Sequence, residues 1–157
     1  MKKKILFVCL GNICRSPAAQ GIMQSLIDKE RLQNHYELDS AGLYGGHAGD
    51  LPDHRMRIHA QRRGYNLTHI SRPVRTSDFD FFDLIVAMDN SNYDRLKAMA
   101  PTVEDEKKVV RMIDYISGFP RYHSVPDPYY EGAEGFELVL DMLEEGCRNL
   151  LEKTKGE

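Results

Sequence analysis

The run Ile5-Leu6-Phe7-Val8-Cys9 is apolar at every position rather than at every second one, and this constrains the fold more than any other feature. A strand with one face in water alternates, whereas a strand apolar on both sides must be covered on both, like the inner strand of a parallel sheet. The run stops at Gly11-Asn12, and Ser16-Pro17 then reads as a helix start. Serine is a favoured N-cap, proline is tolerated at the first helical position, and Ile22, Met23, Leu26 and Ile27 form one apolar stripe. Strand, short loop and helix in that order make a βα unit.

The pattern repeats along the chain. A second strand is expected over Tyr36 to Ser40, ending in the Gly-rich stretch Ala41 to Gly49, and a second helix from about Pro52 to Arg63, stopped by Gly64. A third strand over Leu84 to Met88 leads into a helix opened by Asp89 or Asn90, carrying Tyr93, Leu96 and Met99 before Pro101 ends it. Val109 to Ile113 reads as the fourth strand. The last helix runs from about Glu134 to Lys153, where Phe136, Val139, Leu140, Leu143, Cys147, Leu150 and Leu151 keep helical spacing. Four βα units predict one α/β domain over residues 1–157. Its architecture is a four-stranded, parallel, doubly wound sheet with helices on both faces and right-handed crossovers. With 41% hydrophobic residues in 157, the chain has material for one ordinary core and is not a disordered one.

Ligands of such sheets bind outside the carboxyl ends of the strands, where strand order reverses. The loop after the first strand reads Cys9-Leu10-Gly11-Asn12-Ile13-Cys14-Arg15-Ser16-Pro17. Successive N–H groups from Leu10 to Arg15 can curl around an anion, Gly11 permits unusual dihedrals, and the helix N-terminus adds partial positive charge. Arg15 supplies a planar fork matched to two phosphoryl oxygens. A helix N-terminus and a nearby arginine also favour a reactive thiolate over a thiol, so a phosphate cradle and a nucleophile, Cys9, share one loop. No Walker-type or dinucleotide Gly-rich motif accompanies it.

Asp127 stands in Val125-Pro126-Asp127-Pro128-Tyr129-Tyr130, a loop stiffened by two prolines. Breaking an aryl phosphate requires a proton for the leaving oxygen, and a carboxylic acid on a rigid loop is placed to give it. Tyr129 and Tyr130 are expected to wall an aromatic-sized slot.

Together, Val8-Cys9-Leu10-Gly11-Asn12-Ile13-Cys14-Arg15-Ser16-Pro17 and Asp127-Pro128-Tyr129-Tyr130 resemble the low-molecular-weight protein tyrosine phosphatase family over essentially the whole chain. Ser40-Ala41-Gly42, Asp53-x-Arg55, Met88-Asp89-x-Ser91-Asn92 and Gly135-Phe136-Glu137 match in the family's order. The resemblance implies that Cys9 is the nucleophile, Arg15 the phosphate clamp and Asp127 the general acid. It implies also that Ser16 hydrogen-bonds the thiolate while Asn12, Ser40 and His69 brace the loop of Leu10, Gly11, Asn12, Ile13, Cys14 and Ser16. The expected activity is hydrolysis of phosphotyrosine in proteins through a phosphocysteine, with no metal or other cofactor, by a monomer or weak homodimer. Inorganic phosphate or sulfate fits the same loop. Where the family usually places an aromatic residue on the slot wall, this chain has Gly45-Gly46-His47, so either Tyr44 substitutes or the wall is lower.

Two rivals are weighed. A thiol-dependent arsenate reductase needs further cysteines near the site, and Cys147 lies on the core stripe of the last helix. A silent phosphate-binding signalling module would have no need of both Cys9 and Asp127. A metal site built from Cys9, Cys14, His47, His54, His59 and His69 lacks a second ligand pair. Cys14 either fills the loop or forms a reversible disulfide that shields Cys9.

A net charge of -3 argues against a nucleic-acid binder, and three cysteines are too few and odd in number for a secreted disulfide scaffold, which suggests the cytoplasm. The apolar run behind Met1-Lys2-Lys3-Lys4 is too short for a signal peptide or a membrane span. Charge is uneven: Asp53 to Arg75 holds six arginines against one acid, and Asp127 to Glu157 nine acids against three bases. The basic stretch reads as a solvated helix face or a guide for acidic substrates.

Overall fold

The computed structural model describes residues 1–129 and 131–157. Strand β1 (Lys3–Cys9) sits between β2 (Tyr36–Gly42) and β3 (Leu84–Ala87), with β4 (Val109–Arg111) outside β3 and every pairing parallel. Ile5, Leu6, Phe7 and Val8 are fully buried, each stabilising the fold by about 1.5–3 kcal/mol relative to an exposed side chain.

The period of two along β1 divides the core into two layers. Ile5, Phe7 and Cys9 join one cluster with α1 (Arg15–Lys29), α2 (His54–Gln61) and α6 (Ala133–Thr154). Leu6 and Val8 join the other with Phe79 of α3 (Ser77–Phe81) and Leu96 of α4 (Asn90–Met99). Helices therefore cover both faces, and the unbroken apolar run of β1 follows from that.

From β1 the chain steps to β2 on one side and then crosses to β3 on the other. Strand order thus reverses at β1, and a crevice opens at its carboxyl end. Cys9, the last residue of β1, pairs in register with Gly42. A Cβ on Gly42 would lie 2.9 Å from the Leu10 carbonyl and 3.1 Å from the Asn12 nitrogen, so the glycine lets the loop after β1 pack across the end of β2.

Several local expectations are revised. Helix α1 starts at Arg15, and its N-cap position, Cys14, makes no side-chain cap. Ser16 turns its hydroxyl to the Cys9 sulfur instead of capping, and Pro17 occupies the first turn, where N–H groups lack intrahelical partners anyway. Strand β3 ends at Ala87 and α2 at Gln61. Strand β4 ends at Arg111, and Met112–Tyr115 coil into a 3₁₀ turn that buries Met112. Two short helices lie beyond the expected units: α3, of five residues, and α5 (Val103–Glu106), capped by Thr102 Oγ1 on the Asp105 N–H at 3.1 Å.

Candidate active site

Asn12 rather than Gly11 carries the strained turn of the loop. Its φ is 57°, a left-handed conformation that asparagine tolerates better than most side chains. The strain is offset by four side-chain hydrogen bonds. Nδ2 donates to Ser16 Oγ at 2.8 Å and to Ser40 Oγ at 3.0 Å. Oδ1 accepts from the Arg72 backbone N–H at 3.0 Å and lies 3.0 Å from His69 Nε2. Since Oδ1 can only accept, Nε2 carries the imidazole proton. Burial, aided by the Arg72 charge, holds His69 below the usual histidine range despite the opposing pull of Asp39. Ser40 Oγ donates on to Gln20 Oε1 at 2.7 Å, and Ser71 Oγ donates to the Gly11 carbonyl at 3.2 Å. Sequence reasoning missed Gln20, Ser71 and Arg72, whose partners lie in other segments of the chain.

At the floor of the crevice, Cys9 is 2% exposed. Its sulfur lies 3.0 Å from Ser16 Oγ and accepts from the Asn12 N–H at 3.3 Å. Arg15, 3% exposed, donates Nη1 to Asp89 Oδ2 at 2.8 Å and to the Val125 carbonyl at 3.1 Å. Its Nη2 stands 3.7 Å from Asp127 Oδ2. Asp89, a further residue absent from the expected set, also caps α4 by accepting the Asn92 N–H at 2.7 Å. Asp127 is oriented by the Tyr129 N–H, which donates to its Oδ1 at 3.0 Å.

Cys9, Leu10, Gly11, Ile13, Cys14, Arg15, Asp127, Tyr44, His47 and Tyr129 surround one cavity of about 420 Å³. Tyr44 does line it, lying against the backbone of Gly46, where a Cβ would fall 2.2 Å from the tyrosine ring. The other aromatic on that wall is His47, 5.9 Å from the Tyr44 ring and 6.4 Å from the Tyr129 ring between centroids. The wall is therefore built from both residues. The expectation for Tyr130 lies outside the described residues.

The remaining cysteines and the charges are also placed. Cys14 and Cys147 are free and buried, and Cys147 donates to the Ala19 carbonyl inside the core. Among the described residues, no group of three or more His, Cys, Asp or Glu is placed to hold a metal ion, and no helix is long and apolar enough to cross a membrane. Three of the six arginines in the basic stretch are paired with acids, while Arg62 and Arg75 are exposed. Arg63 bridges Glu137, Asp141 and Glu144 of α6, Arg72 bridges Asp39 and Asp78, and Arg55 pairs with Asp53. Arg63 thus joins the basic stretch to the acidic α6 directly.

A thiol at the carboxyl end of an inner strand, at the reversal point of a doubly wound parallel sheet and sharing one cavity with an arginine and an aspartate, defines the class as a single-domain α/β protein with its candidate site in the first βα loop. The family model described as low molecular weight phosphotyrosine protein phosphatase matches residues 4–157. A crystal structure of a protein tyrosine phosphatase from Entamoeba histolytica, with Hepes in its active site, is 46% identical and superposes with a TM-score of 0.95, covering 99% of this chain and 98% of that one. A low molecular weight protein-tyrosine-phosphatase of Bacillus subtilis is 38% identical over 98% of this chain and 96% of its own length. A Drosophila arginine phosphatase is 36% identical, with a TM-score of 0.89, over 99% of this chain and 98% of that one. The chain belongs to the low molecular weight phosphotyrosine protein phosphatase family and is a phosphatase.

Proposed function

We propose that residues 1–157 act as one phosphatase domain that hydrolyses phosphotyrosine in proteins, and small aryl phosphates, by two successive displacements. The observation that carries this reading is the convergence of Cys9, Arg15 and Asp127 on one aromatic-walled cavity. The Cys9 thiolate attacks phosphorus in line, and the phenolate leaves with a proton from Asp127. Arg15 and the loop amides stabilise charge on the equatorial oxygens. Asp89 and Val125 occupy Nη1, which leaves Nη2 on the side of Asp127. Asp127, now ionised, then takes a proton from water as it attacks the phosphocysteine, and the Cys9 thiolate departs toward the Ser16 hydroxyl.

Tyr44, His47 and Tyr129 supply the aromatic surfaces expected for a phosphotyrosine ring, and inorganic phosphate or sulfate would fill only the floor. The likeness to an arginine phosphatase makes phosphoarginine the second substrate to test. Cys147, locked in the core, is unsuited to the electron relay of an arsenate reductase. Three free thiols agree with a cytoplasmic setting, and a monomer or weak homodimer suffices for this chemistry.

The test is phosphate release in EDTA from matched phosphotyrosine and phosphoarginine peptides and from p-nitrophenyl phosphate. Preference for the phosphotyrosine peptide and no turnover by Cys9→Ser are expected. Undiminished turnover by Cys9→Ser, or preference for phosphoarginine, would overturn the mechanism or the substrate respectively.

A further inference from the structure

We infer that Arg55 is a positioning residue for the Asp127 loop, holding the carboxyl group in register over Cys9; this rests on the reading of Asp127 as proton donor. The loop is anchored at its start, where the Val125 N–H donates to the Met88 carbonyl at 2.9 Å and the Val125 carbonyl accepts from Arg15 at 3.1 Å. Pro126 and Pro128 flank Asp127 and have no N–H to give. At the far end, Arg55 Nη2 donates to the Tyr129 carbonyl at 2.8 Å. The N–H of the same residue is what orients Asp127 Oδ1.

Arg55 is itself held on several sides. Its Nε and Nη2 donate to the two carboxylate oxygens of Asp53 at 3.2 and 3.1 Å. Its guanidinium lies 5.0 Å from the Phe136 ring centroid and 5.4 Å from that of Tyr129. The Asp53 N–H in turn donates to the Ile13 carbonyl of the loop beneath, at 2.8 Å. A continuous path, Ile13 to Asp53 to Arg55 to Tyr129 to Asp127, therefore joins the floor of the site to the acid above it. It depends on one planar fork serving Asp53 and Tyr129 together, a geometry that an ammonium does not reproduce. The side chain is 46% exposed, yet three of its hydrogen bonds go to Asp53 and Tyr129 rather than leaving it a free surface charge.

General acids contribute roughly 10²–10⁴-fold to such steps, and only when the leaving group needs the proton. Displacing the acid without removing it forfeits part of that. The experiment compares kcat/KM for a phosphotyrosine peptide, whose phenolate is a poor leaving group, with that for 2,4-dinitrophenyl phosphate, whose phenolate leaves unprotonated.

Arg55→Ala is expected to lower the first about 10-fold and the second less than about 2-fold. Arg55→Lys is expected to recover part of the loss. Competitive inhibition by inorganic phosphate, which reads the loop alone, should stay unchanged and shows that the site is folded. In an Asp127→Asn background the Arg55→Ala loss should vanish, since both changes act through one group.

Equal losses on both substrates, or an undiminished loss in the Asp127→Asn background, would overturn the role of Arg55. If Asp127→Asn is leaving-group selective and Arg55→Ala is not, the role of Arg55 alone falls. If Asp127→Asn itself lacks selectivity, the acid assignment falls and the role of Arg55 with it.

Discussion

The Ser16 hydroxyl lies 3.0 Å from the Cys9 sulfur, and Asn12 decides which way it points. Asn12 Nδ2 donates to the Ser16 oxygen, so the hydroxyl hydrogen is free for the sulfur and is placed to stabilise a departing thiolate. A hydrogen bond to a charged group contributes about 1.5–3 kcal/mol, so Ser16→Ala should lower kcat roughly 10- to 100-fold, with KM falling alongside it because breakdown of the phosphocysteine becomes the slow step. Rapid acid quench should show phosphoenzyme accumulating in the variant. An unchanged kcat would count against the role.

Asp89 serves Arg15 and the first turn of α4 at once. Asp89→Ala loses both contacts and leaves a buried guanidinium short of a partner, which should cost about 2 kcal/mol and lower kcat/KM about 10-fold. Asp89→Asn still caps and still accepts, so it should fall between wild type and alanine in melting temperature. Identical melts for the two variants would contradict this division of labour.

Asp53 makes stability pH-dependent. Burial alone would raise its carboxyl, but the Arg55 side chain, the N–H groups of Arg55 and Met56 and the Arg55 charge outweigh burial and hold it below its usual 3.8. The folded state then keeps the ionised form to lower pH than the unfolded chain. This contribution is present above about pH 4 and is lost as pH falls through the folded value. Between about pH 5 and pH 2, wild type should lose more stability in denaturant melts than Asp53→Asn. Parallel curves would refute the linkage.

Cys14 is kept as a thiol. Burial pushes it well above the usual cysteine range, reinforced by the negative charges of Asp53, Cys9 and Asp127. If peroxide converts Cys9 to a sulfenic acid, the Cys14 thiol can condense with it, expelling water and forming a disulfide. Activity should then return with dithiothreitol in wild type and not in Cys14→Ser after the same dose. Equal recovery would show that Cys14 only fills the loop.

Much of the frame was legible because it is written in local chemistry. The unbroken apolar run of β1 requires cover on both faces, and the helical spacing from Phe136 to Leu151 requires an amphipathic α6. Short elements left no such trace: five residues of α3 and four of α5 span too little chain for periodicity to register. Ser16 was misplaced for a different reason, since a hydroxyl suited to capping was taken by a sulfur seven positions earlier.

The candidate site divides along the same line. Cys9, Arg15 and their loop are near neighbours in the chain, so their spacing together with the apolar strand before them and Ser16-Pro17 after them was enough to join them, and Asp127 stood out between two prolines. Asp89 and Arg15 are 74 positions apart, as are Arg55 and Tyr129, and no periodicity relates such pairs. His47 could not be read as a wall residue until Gly46 let the Tyr44 ring pack across its backbone, edge-to-face with the imidazole. The excess of arginines in one segment and of acids in another also looked like a surface property until packing paired Arg63 with α6. Propensity and spacing act over a few residues and were determined by the sequence by itself. The choice of partner for a buried charge or a strained asparagine is a long-range packing decision, and only the tertiary structure made it.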